Sequence, residues 1–315
     1  MAVRSLSDLP SINVFVSLIG LLMLKKILVA TDFSERSDRA LRRATLLARQ
    51  HGAKMHLLHV VDDDHPRRIV EANRDQAESL MRALSATIRS EDGLQCDWSV
   101  RLGAPHLGIE QGVEAERPDL LVLGPYRRKL LKDVFVGTTA ERSIKSAGCP
   151  VLVVNAVPVD NYTHIMQTTD LSDASAIALS HFGALRVGRS GRSSVLHVFE
   201  APALRLVMSD TLHPEDRAHY LDDEKKSAAT ALSTFLSKIK VPRVATLLRH
   251  EATSAAHEIL KAAQSEQADL IVISTRGRSG MQKFILGSVA EQVLRSASVD
   301  VLAIPPSVSE ASPEP

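Results

Sequence analysis

The sequence predicts an α/β protein made of two tandem doubly wound domains, each a five-stranded parallel sheet with helices on both faces. Three observations carry this reading. The 315 residues suffice for two domains at roughly 150 residues each. The chain repeats itself once, and within each copy short apolar runs of strand length alternate with longer stretches of helical period.

The repeat is read from four matched segments. Residues 27–41, ILVATDFSERSDRAL, recur as IMQTTDLSDASAIAL at 165–179, and LLHVVD at 57–62 recurs as VLHVFE at 195–200, both 138 positions on. PDLLVLG from Pro118 recurs as ADLIVIS from Ala268, and FVGTTAERSIKSAGCPVLVVN from Phe135 as ILGSVAEQVLRSASVDVLAIP from Ile285, both 150 positions on. The middle of the second copy is therefore longer. The boundaries that follow are an apolar extension at 1–24, domains at 25–156 and 163–305, and a polar tail at 306–315 with the composition of a disordered segment.

In the first copy, strands are predicted near 26–31, 55–61, 97–101, 120–123 and 151–154. Between the first two, Ala40, Leu41, Ala44, Leu47 and Ala48 form a helical stripe that Gly52 is placed to close. Leu179, Phe182 and Leu185 repeat that stripe. Residues 67–89 carry Ile69, Ala77, Leu80, Met81, Leu84 and Ile88 at helical spacing, and residues 220–239 do likewise. Right-handed crossovers then wind each sheet in both directions from its first strand, and ligands of such sheets bind where the winding reverses. The apolar last strands, 151–154 and 301–304, are expected at sheet edges, where an uncovered edge invites pairing.

Composition excludes several function classes. With 38 basic and 37 acidic side chains the net charge is +1, so no broad field holds a nucleic-acid backbone or an anionic membrane. Aromatics are 3% and Trp98 is the single tryptophan, which argues against stacking surfaces for single strands. Cys96 and Cys149 are the two cysteines, so there is no disulfide framework, and the cytoplasm is the expected compartment. The apolar run at 12–24 has 13 residues, too few to cross a bilayer unaided. It resembles the core of a signal peptide but has only Arg4 upstream, no A-x-A site and an immediate run into KKILVATD, so translation from Met23 and no membrane role are expected.

Asp32 and Asp170 each follow a strand and precede a helix, which suits either a helix cap or a carboxylate that reads a sugar or base. After the fourth strand of the second copy, Gly277 is followed by nine residues and then Gly287-Ser288 at a helix start. Such a turn lets backbone amides meet a phosphate, with Arg276, Arg278 and Lys283 adding charge. A competing reading is purely structural: Ser288 to Glu291 and Thr138 to Glu141 both spell S/T-x-x-E capping boxes. His56 and His59, three apart in a strand, point to opposite faces and cannot share a metal. His59 and His197 recur at one repeat position, as expected of packed, hydrogen-bonded residues, and the acidic run at 62–64 reads as solvated. Cys149 has no counterpart thiol in the second copy.

ILVATDFS, LLHVVD, DLIVIS and STRGRSG followed by GSVAE together resemble the universal stress protein family in tandem form, from Lys25 to about Pro305. The resemblance implies a Rossmann-like domain related to the adenine nucleotide α-hydrolases. The family's nucleotide-binding branch has G-x-x-G-(x9)-G-S/T after its fourth strand. The second copy matches it with Gly277, Gly287 and Ser288, and has Ser274 for the first glycine. Carried over in the same way, Asp170 is the binding aspartate and the base lies near Thr168 and Val198. The phosphates fall between Gly277 and Val289, a stretch that includes Arg278. The ligand implied is ATP, or ADP or AMP, accompanied by Mg2+. The first copy keeps Asp32, Val60, Gly124, Gly137 and Thr138 but has Arg127 at the middle glycine, within an Arg127-Arg128-Lys129 run, so an altered site is expected there.

Phosphotransfer needs a water-positioning base, a metal ligand and a charge clamp, and no GxxxxGK[ST], HRD or GxSxG motif is present. The expectation is therefore a stress-response protein in which nucleotide is a ligand and not a substrate, signalling to a regulatory protein. The alternatives are an interaction module without nucleotide and a weak ATPase. The resemblance also implies that the last strands of the two domains meet about a pseudo-twofold axis within one chain, and homodimers of the tandem chain are compatible with it.

Overall fold

The computed structural model describes residues 24–125, 139–205, 213–239, 244–277 and 286–305. The first half runs β1 (Lys26–Ala30), α1 (Glu35–His51), β2 (Lys54–Val61), α2 (Arg67–Asp92), β3 (Cys96–Leu102), α3 (Pro105–Glu116), β4 (Leu120–Leu123), α4 (Thr139–Ser146) and β5 (Val151–Val153). The second half runs β6 (His164–Thr169), α5 (Asp173–Leu185), β7 (Arg192–Phe199), α6 (Pro214–Lys238), β8 (Ala245–His250), α7 (Ala255–Ser265), β9 (Leu270–Ser274), α8 (Ser288–Ser296) and β10 (Asp300–Ile304).

All the strands form one ten-stranded sheet in the order β3-β2-β1-β4-β5-β10-β9-β6-β7-β8. Every neighbouring pair is parallel except β5 with β10, which run antiparallel with Leu152 opposite Leu302. The apolar last strands therefore lie at the centre of the sheet. The edges are β3 and β8, whose residues are mostly half-buried or exposed. Each face carries one core that runs through both halves. Residues of α1, α2 and α5 pack on one face, and residues of α3, α4, α7 and α8 on the other.

Within each half the winding reverses beside the first strand, between β1 and β4 and between β6 and β9. This places the ends of those strands at the ligand-binding position of a doubly wound sheet.

The join between the halves is polar as well as apolar. Asp300, fully buried in β10, accepts hydrogen bonds from the Tyr162 hydroxyl at 2.6 Å and from the amides of Asn155 and Ala156 at 2.9 and 3.0 Å. Arg43 of α1 pairs with the same carboxylate at 3.2 Å and donates to the Asp160 carbonyl at 2.6 Å. Its guanidinium lies 4.0 Å from the centre of the Tyr162 ring. The first half, the linker and the last strand thus meet on one buried carboxylate. Its burial pushes its pKa above the usual range against the pull of those partners.

Burial also pulls His51, His56, His59 and His181 below their ordinary value of 6.5. The unfolded chain therefore binds more protons than the folded one just below pH ~6.5, and stability falls as the pH drops through that range. Urea unfolding at pH ~5.5 is expected to show a lower midpoint than at pH ~7.5, with an unchanged slope; an equal or higher midpoint contradicts this assignment.

Candidate functional site

The same turn leaves β1 and β6. After β1, Thr31 Oγ1 accepts the amide of Phe33 at 3.1 Å, and Asp32 Oδ1 accepts both the amide of Ser34, at 3.1 Å, and its hydroxyl. After β6, Thr169 Oγ1 accepts the amide of Leu171 at 3.0 Å, and Asp170 Oδ1 accepts the amide of Ser172, at 3.1 Å, and its hydroxyl. Phe33 and Leu171 are held at φ of 57° and 64°, a left-handed conformation uncommon for residues of their kind. The helix caps themselves are Ser34 and Ser172, which accept the amides of Ser37 and Ser175. Each aspartate therefore braces the cap with one oxygen, so the capping and ligand-binding readings are not exclusive.

The other oxygen of Asp170 faces the turn after β9. Asp170 Oδ2 lies 3.0 Å from where a β-carbon on Gly277 would sit. The strand-end aspartate thus faces the middle glycine of the turn across the β6–β9 switch point, with no room for a side chain between them. A β-carbon on Gly287 would lie 3.8 Å from the Gly277 amide nitrogen, and the Gly287 amide donates to the Thr275 carbonyl at 2.9 Å. Asp170, Gly277 and Gly287 form one locus. Ser274 is buried at the end of β9 and its hydroxyl accepts the Arg276 amide at 3.3 Å, bracing the turn.

The capping-box expectation for the second copy is corrected. Gly287 is the N-cap of α8 and Ser288 the first helical residue, with no side-chain cap. Glu291 pairs instead with Arg295 at 2.6 Å. The N-cap has no side chain of its own, and the first amides of the helix, those of Ser288 and Val289 among them, have no acceptor within it. Val198 and Val289 are both half-buried against the same core. Thr168 is buried and donates its hydroxyl to the Val272 carbonyl at 3.0 Å, so only its backbone remains for a ligand. Arg278 and Lys283 lie outside the described residues.

In the first copy the counterparts of Gly277 and Gly287 lie outside the described residues, and Gly124, the counterpart of Ser274, packs on the start of α1. A β-carbon on Gly124 would lie 2.9 Å from the Arg36 carbonyl oxygen, so this glycine admits the start of α1. The Arg36 guanidinium reaches Asp32 Oδ2 at 3.9 Å, whereas Ala174 holds the matching position in the second copy. Burial pushes Asp32 upward, but Ser34, Ser37 and Arg36 together hold its carboxyl below the usual range. Arg36 was not singled out from sequence; its i,i+4 spacing from Asp32 was the available signal. Val60 is half-buried against the core. Gly137, Thr138 and the Arg127-Arg128-Lys129 run lie outside the described residues.

His59 and His197 donate Nδ1–H to the carbonyls of Thr31 and Thr169 at 2.8 and 2.9 Å, tying β2 and β7 to the two turns. His56 bonds Ser99 through Nε2 at 2.8 Å and lies apart from His59. Among the described residues no group of three or more His, Cys, Asp or Glu side chains is placed to hold a metal ion, and no helix is long and apolar enough to cross a membrane.

The profile of the universal stress protein family matches residues 23–155 and again 161–305. The chain belongs to this family, in tandem form. A universal stress protein of Mycolicibacterium smegmatis is 24% identical over 295 residues, covering 89% of this chain and 97% of the relative. One from Methanocaldococcus jannaschii is 29% identical over 139 residues, 41% of this chain and 81% of its own. Among solved structures, a universal stress protein from Archaeoglobus fulgidus has a TM-score of 0.63 at 17% identity, covering 89% of this chain and 98% of its own. One from Pseudomonas aeruginosa has the same score at 20% identity, covering 92% and 95%. These two likenesses show the fold.

Proposed function

We propose that this universal stress protein binds an adenine nucleotide, ATP first among them, in its second half, and that the bound nucleotide is a signal rather than a substrate. The observation that carries the reading is Asp170 facing the bare backbone of Gly277, beside a helix start whose N-cap is a glycine. A glycine turn facing oriented amides suits a polyphosphate, and the neighbouring carboxylate suits a ribose or base. Asp170 and the backbone at Thr168 and Val198 would hold the nucleoside end. Gly277, Gly287, Ser288 and Val289 would take the phosphates, with Mg2+ carried by the phosphate oxygens. When bound, the nucleotide supplies charge and shape for a partner protein to read.

In the first half, the Arg36 guanidinium on Asp32 supports an altered site. Two buried cysteines, pushed up to about 11 for Cys96 and about 12 for Cys149 by burial, suit a reducing cytoplasm. Acid extracts of the full chain, purified without added ligand and analysed by mass spectrometry, are expected to contain ATP, ADP or AMP at up to one equivalent. Extracts free of adenine nucleotide from protein that also fails to bind added ATP would overturn the reading.

A further inference from the structure

Near the β3 edge of the first half, a hydroxyl, an imidazole and a carboxylate stand in a row. His56 Nε2 lies 2.8 Å from Ser99 Oγ, and His56 Nδ1 lies 3.4 Å from Glu116 Oε2. Lys26 donates to that same Glu116 oxygen at 2.7 Å and holds the carboxyl below the usual range, so Glu116 is ionised and only accepts. The ring proton of His56 therefore belongs on Nδ1, which leaves Nε2 to accept the proton of the Ser99 hydroxyl.

The group sits away from the nucleotide position, because His56 is the third residue of β2 and Glu116 the last of α3, toward the amino ends of the strands. Ser99 is half-buried on the edge strand β3, so a small molecule can reach its hydroxyl from the open side of the sheet. His56 is buried, and its pKa lies below 6.5: burial lowers it most, Glu116 and Asp97 pull it up, and Lys26 and Arg101 push it down. The imidazole is thus a neutral base at pH ~7. Arg101 stands two residues from Ser99 on the same face of β3, and its Nε is buried without a hydrogen-bond partner among the described residues. An unshared cationic donor beside a paired base and hydroxyl suits a developing oxyanion.

The second copy shows what a merely structural version looks like. There Ser194 holds the position of His56, His164 that of Lys26 and, by strand register, Leu247 that of Ser99. Ser194 and His164 bond at 2.9 Å, but both are buried, and His164 Nδ1 meets the Glu266 carbonyl and the Arg192 guanidinium. Arg249, the counterpart of Arg101, is taken up by the Ser265 hydroxyl and the Glu266 carboxylate. Only the first copy leaves the hydroxyl half-open and Nε of the arginine unshared.

We propose that Ser99, His56 and Glu116 form a hydrolytic triad for small carboxylic esters, with Arg101 stabilising the oxyanion. Ser99 Oγ bonds to the ester carbonyl carbon as its proton passes to His56 Nε2. The intermediate then collapses, breaking the C–O bond to the alcohol, whose oxygen takes that proton. Water, deprotonated by Nε2, attacks the acyl-serine and releases the carboxylic acid, and the proton returns to Ser99. The proposal does not rest on nucleotide binding by the second half.

The test treats the full chain with a fluorophosphonate, whose fluoride the serine oxygen displaces. Peptide mapping is expected to find one adduct per chain, on Ser99, formed at least ~100-fold more slowly in His56→Gln. Multiple-turnover hydrolysis of p-nitrophenyl acetate is expected to be lost once Ser99 is labelled. The labelling rate is expected to fall below pH ~6.5 as His56 takes a proton, and Glu116→Gln to move that fall to lower pH, because a charge that raises His56 is gone. The proposal is overturned by absence of label on Ser99, by an unchanged labelling rate in folded His56→Gln, or by a pH profile that Glu116→Gln leaves in place.

Discussion

Asp300→Leu is expected to lower the stability of the full chain by ~3–5 kcal/mol, the cost of removing one partner from a buried ion pair. The substitution leaves the guanidinium of Arg43, whose side chain is 6% exposed, without its carboxylate. It also strips the acceptor from the Tyr162 hydroxyl and from the amides of Asn155 and Ala156. Leucine is bulkier than aspartate, so Asp300→Asn, which keeps the volume, separates the electrostatic loss from overpacking. A double variant, Arg43→Met with Asp300→Leu, is expected to recover a large part of it, because no charge is then stranded. Urea unfolding of the two single variants and the double variant measures the coupling. Strict additivity would show that Arg43 and Asp300 do not act as a pair.

Gly277→Trp is expected to weaken ATP binding at least ~100-fold, or ~2.7 kcal/mol, while leaving the fold intact. The backbone of Gly277 is outside the left-handed region, so a side chain is conformationally allowed there. What it meets is Asp170 Oδ2, 3.0 Å from the first added carbon. An indole would fill the space in front of the carboxylate and screen the start of α8. Unaltered affinity in a folded Gly277→Trp protein would place the nucleotide elsewhere. Gly124 offers the contrast, because a side chain there collides with the backbone of α1, so its replacement strains the fold and not a binding cleft.

Much of the architecture was legible in the residues. The repeat is carried by strand-length apolar runs such as ILVA and LLVL, which are buried on both faces and so tolerate little polar variation. The partner of each last strand was less so. Val151 to Val153 and Val301 to Ala303 read as apolar edges, and their meeting, which the structure bears out, followed from the family resemblance and not from any pattern in two segments 150 residues apart. The Arg43–Asp300 pair spans 257 positions, and Asp300 shows in the sequence only as a residue where the first copy has Pro150. Long-range pairing of this kind leaves no periodicity to read.

At the site, the sequence pattern located Asp170, Gly277 and Gly287, and the fold brings them together. It misassigned the cap of α8, because S/T-x-x-E spacing counts residues, whereas the N-cap is decided by backbone angles, here the −62° and 144° of Gly287. It also missed Arg36, since an arginine in a first helical turn looks like an ordinary exposed charge until Asp32 is seen beneath it.

We infer one adenine-nucleotide site per chain, in the second half. Calorimetric titration of ATP with Mg2+ into nucleotide-free full-length protein tests it most directly. Binding at one site per chain is expected. Absence of binding with and without Mg2+, or a stoichiometry of two, would contradict it.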